Sequence, residues 1–92
     1  MTDLSAAEQQ WHAWIAEACA AVGVDPDDVD VAAIHRLSRD IAHGFARPMA
    51  PVGSYILGLA VGARTARGLE VDQESLSAAL RSTFPREGAA DT

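Results

Sequence analysis

Apolar residues recur at helical spacing in four separate stretches of the chain. In the first, positions set about 100° apart bring Ala7, Trp11, Trp14, Ile15, Ala18 and Val22 onto one narrow face, the pattern of an amphipathic helix. Ser5-Ala6-Ala7-Glu8 has capping-box spacing and predicts its start, and Gly23 supplies a left-handed stop. Asp25-Pro26 then predicts a short capped turn. Asp27, Asp28 and Asp30 sit beside the positive end of a second helix, where each charge contributes about 0.3–1 kcal/mol. That helix runs from Val31 to Phe45 with Ile34, Leu37, Ser38, Ile41 and Phe45 inward.

Pro48 and Pro51 interrupt the helical pattern, since each disfavours helical geometry in the residue before it. A third helix begins at Pro51 and is apolar nearly all round: Val52, Tyr55, Ile56, Leu59 and Ala63 lie on one side, Leu57 and Val61 on another. Such a helix is central either to the fold or to a dimer. Ser54, Gly58 and Gly62 form a stripe without bulky side chains, a face suited to close approach by another helix. After a turn ending at Gly68, Val71-Asp72 reads as a hydrophobic staple and cap, with Val71 set to meet Leu76. Leu76, Ala79, Leu80 and Thr83 share the inner face of a fourth helix that Pro85 ends.

No run of alternating β-branched residues and no fixed-period repeat is present. The expected fold is therefore all-α, a compact bundle of four helices at about 5–22, 31–45, 51–66 and 73–84. Residues 1–86 make a single helical domain, and 87–92 a flexible C-terminal tail.

Charge narrows the partners. With 13 acids against seven arginines and no lysine, the formal charge is −6, which disfavours nucleic acid and anionic membranes. The longest uncharged run, 48–63, is short of the roughly 20 residues of a membrane span. A single cysteine, Cys19, excludes an internal disulfide, and the N-terminus lacks the basic start and apolar run of a signal peptide; both predict a cytoplasmic protein.

No catalytic set assembles by spacing, so the expectation is a protein that is not an enzyme and needs no cofactor. His35, Arg39 and His43 stand four residues apart on the polar side of the second helix, with Arg36 and Asp40 spaced to pair beside them. Eight residues separate the histidines by about 12 Å, too far to share a metal. The acids from Asp25 to Asp30 fail as a calcium loop, because Val29 and Arg36 occupy liganding positions, and no metal site is expected. Arg47, just past the helix, joins the stripe as a candidate interaction surface. It also precedes a third helix with Ala50 where a capping side chain belongs, so the amides of Val52, Gly53 and Ser54 form a candidate anion site.

The run from Asp40 to Pro51, DIAHGFARPMAP, followed by YILGLAVG at 55–62, resembles a small actinobacterial helical domain of unknown function. Its members occur alone or attached to the C-terminal side of molybdenum-cofactor guanylyltransferase domains, which make molybdopterin-guanine dinucleotide. The resemblance implies a non-enzymatic accessory or interaction domain of molybdenum-cofactor biosynthesis or insertion, with a protein partner such as that guanylyltransferase. It does not imply transferase activity, because the glycine-rich loop of the transferase is absent and a helical chain builds no doubly wound sheet. A small-anion or nucleotide-phosphate binding module and a structural homodimer are the alternatives.

Overall fold

The computed structural model describes residues 2–85, with side chains from Ala6 onward. Four helices, α1 (Thr2–Val22), α2 (Val31–Gly44), α3 (Ala50–Ala66) and α4 (Gln73–Arg81), form an all-α bundle, and no strand occurs among the described residues. Short 3-10 turns at Pro26–Asp28 and Arg47–Met49 link α1 to α2 and α2 to α3. The tail expected at 87–92 lies outside the described residues.

Local chemistry sets most of the boundaries. The Asp25 carboxylate accepts from the Asp27 amide at 2.9 Å, Asp30 caps α2 through the Ala33 amide at 3.0 Å, and Asp72 caps α4. The Ser75 hydroxyl donates to Asp72 at 2.8 Å and its amide adds a second bond, holding that carboxyl below the usual aspartate range. Gly23 and Gly68 take positive φ, and the amides that follow, of Val24 and Leu69, bond back to Cys19 and Arg64 carbonyls at 2.9 Å. Both α1 and α3 therefore end in Schellman turns.

α2 ends and α3 begins one residue earlier than the pattern, at Gly44 and Ala50, and two boundaries differ by more. α1 begins at Thr2, upstream of Ser5, because no proline or glycine before Ser5 stops the helix extending backward. α4 ends at Arg81, before Phe84, because the Ser82 and Thr83 hydroxyls bond the Ala79 and Leu80 carbonyls at 2.6 Å and tighten the last turn.

The core lies between α2, α3 and α4. Leu37 and Ile41 meet Ala50, Leu57 and Val61, with Val71, Leu76, Leu80 and Phe84 packed around them. Only the Leu57/Val61 side of α3 is enclosed. Val52, Tyr55, Ile56 and Leu59 on its other side remain 45%, 69%, 44% and 56% exposed. The cause is where α2 crosses: it approaches at Gly53, where a Cβ would overlap Ile41 Cδ1, while nothing lies within 4 Å of a Cβ placed at Gly58 or Gly62. Among the described residues, the glycine that permits helix contact is thus Gly53, and the Ser54/Gly58/Gly62 stripe borders an open cleft.

Phe45, Ala79 and Thr83, read as inward, are exposed; Phe45 instead stacks on Phe84 at a centroid distance of 6.4 Å. Ser77 is fully buried in α4, and its hydroxyl has no hydrogen-bond partner among the described residues. α1 meets the rest of the chain chiefly at the Pro26–Asp28 turn, together with an edge contact between Trp11 and His35 at 5.9 Å.

Gly53→Ala should destabilise the fold by about 1–3 kcal/mol through overpacking, and less in an Ile41→Val background that removes the opposing methyl. Gly58→Ala should stabilise it by about 1 kcal/mol, because there only helix propensity changes. Urea denaturation of the variants checks both signs. Ser77→Ala, which removes a buried unmatched hydroxyl, should raise stability by about 1 kcal/mol in the same assay.

Candidate functional site

The charged side of α2 divides into two rows. Arg36 and Asp40, spaced to pair with each other, instead reach across to α4: the Arg36 guanidinium donates to Glu74 at 2.8 Å and Arg81 donates to Asp40 at 2.7 Å. The cross-helix partners prevail because α4 packs along α2 and carries Glu74 and Arg81 on the facing side. Asp40 is therefore engaged by α4 and does not serve the start of α3.

His35, Arg39 and His43 form the second row, all exposed, and Arg47 follows in the 3-10 turn, exposed as well. Arg39, His43 and Arg47 make no side-chain hydrogen bond or ion pair among the described residues. His35 differs from them, since its ring lies edge-on against Trp11. The helical spacing of four thus produces a row of solvated cationic and titratable groups on a chain of net charge −6.

The start of α3 has no side-chain cap, and the preceding turn uses several of its donors. The Met49 amide bonds Ala46 and the Ala50 amide bonds Arg47, while Pro51 has none to offer. Gly53 and Ser54 are the fourth and fifth residues of the helix, and the Ser54 hydroxyl donates back to the Ala50 carbonyl at 3.0 Å.

Sequence reasoning missed a groove. Trp11 and Trp14 read as core anchors, but both are exposed and, with Ile15, Val29, Val31 and Ile34, line an apolar groove of about 790 Å³ between α1 and α2. Periodicity identifies an apolar face without saying what covers it, so no signal in the chain distinguished this face from a core one. Cys19, on the same helix, is buried and free, as a packing residue. No group of three histidine, cysteine or carboxylate side chains converges to hold a metal among the described residues, and no helix there is long and apolar enough to cross a membrane.

These features define a small all-α domain. The chain belongs to the family described as a domain of unknown function, DUF6457, whose model matches residues 6–92. No curated protein and no solved structure matches it.

Since Arg39, His43 and Arg47 are exposed and make no side-chain hydrogen bond or ion pair among the described residues, replacing each by alanine should change stability by no more than about 0.5 kcal/mol. Arg81→Ala, which strips Asp40 of its part-buried partner, should cost about 1 kcal/mol. Thermal denaturation of the four variants tests the contrast.

Proposed function

We propose that this domain is a non-enzymatic interaction module of molybdenum-cofactor biosynthesis or insertion, docking through the edge formed by Arg39, His43 and Arg47. One observation carries the docking surface: these groups are exposed and unpaired while Arg36 and Asp40, on the same helix, are both engaged by α4. Unpaired guanidinium groups suit carboxylates on a partner, which they bind with planar, paired hydrogen bonds. The assignment to molybdenum-cofactor chemistry draws on the resemblance carried by residues 40–51 and 55–62, and the partner it suggests is a molybdenum-cofactor guanylyltransferase.

Calorimetric titration of the purified domain into that guanylyltransferase tests the proposal. Binding should weaken as salt rises, because rim charges are screened beyond about 8 Å at physiological ionic strength. The triple variant Arg39→Ala/His43→Ala/Arg47→Ala should lose at least about tenfold in affinity while keeping its fold. An absence of binding by the unmodified domain, or equal affinity in the triple variant, rejects it.

A further inference from the structure

Charge is segregated along this chain. Residues 1–35 hold seven acids and neither arginine nor lysine, whereas 41–69 hold three arginines and no acid. Two open apolar surfaces fall one in each region. The groove between α1 and α2, lined by Trp14 and Ile15, adjoins a hollow that holds Glu8, Asp27 and Asp30. The α3 ridge of Val52, Tyr55, Ile56 and Leu59 is bounded by Arg47 at its start and by Arg67 at its end, while Arg64 lies on the enclosed side and donates to the Glu70 carbonyl at 2.7 Å.

We propose that two copies of this chain pair reciprocally, the α3 ridge of each seated in the α1/α2 groove of the other. Within one chain the two surfaces do not meet, since no α3 residue lines the groove. Between two chains they match in both respects that matter, apolar against apolar and arginine against carboxylate. Other symmetric pairings do not: α3 against α3 sets Arg47 near the partner's Arg67 when antiparallel, and groove against groove sets acids against acids. A reciprocal pairing also closes on itself about a two-fold axis and leaves neither surface open.

Seven of the eleven large apolar side chains left exposed among the described residues stand on α1 and α3, Trp14 at 68% and Val22 at 73% among them. Exposed apolar surface of this extent is the usual mark of an interaction site.

Sedimentation equilibrium of the full chain across micromolar to millimolar concentration should give about twice 9.7 kDa. Trp14→Glu in the groove and Leu59→Glu on the ridge should each raise the dissociation constant at least about thirtyfold, with helical content by circular dichroism unchanged. The two variants mixed in equal amounts should again form dimers. The groove of the Leu59→Glu chain and the ridge of the Trp14→Glu chain are both intact, so the mixture keeps one whole contact that neither variant has alone. A monomeric unmodified chain, an open series of larger species, or a mixture that stays monomeric overturns the proposal.

Discussion

Ile41 of α2 lies against the bare backbone of Gly53 in α3, and much of the architecture follows from that contact. A helix can approach another closely only where one of them lacks a side chain, and with Ala50 one turn earlier the chain provides such a place at the start of α3. Once α2 is seated there, Leu37 and Ile41 meet Leu57 and Val61, and α4 completes the core with Leu76 and Leu80. The same contact fixes which side of α3 faces water. An almost uniformly apolar helix must present something outward, and the crossing point makes that face Val52, Tyr55, Ile56 and Leu59.

The ion pairs reinforce this arrangement more than they stabilise it. Arg36 with Glu74 and Asp40 with Arg81 join α2 to α4 in partly exposed settings, where such pairs are worth about 1 kcal/mol or less each. Their consequence is selective. They occupy two of the charged groups of α2, while Arg39 and His43 have no side-chain partner among the described residues, so the helix keeps one engaged row and one open row.

The sequence made the helices and their caps legible because capping is local. Asp30 and Asp72 need only the next three residues to find their amides, and Gly23 and Gly68 need only their own φ. What lay beyond reach was orientation. Two faces of α3 were equally apolar by periodicity, and choosing between them required knowing that α2 would cross at Gly53 and not along the Gly58/Gly62 stripe. Trp11 and Trp14 raised the same difficulty, since tryptophan on an amphipathic face reads as core until the covering element is known. The exposure of His35, Arg39 and His43 was readable from the period of α2; that Arg36 and Asp40 would turn to α4 was not, because both partners lie more than 30 residues away.

Size gives these open faces a common origin. A chain of 92 residues buries too little of its surface for four helices each to be enclosed on every apolar side, and the core here rests on a few aliphatic side chains of α2 and α3. Enclosing α1 more fully within the same chain would bring its acidic flank toward the Asp25–Asp30 turn, where like charges oppose the approach. Its tryptophans therefore stay open, as does the outer side of α3, and the reciprocal pairing proposed for this chain would cover both.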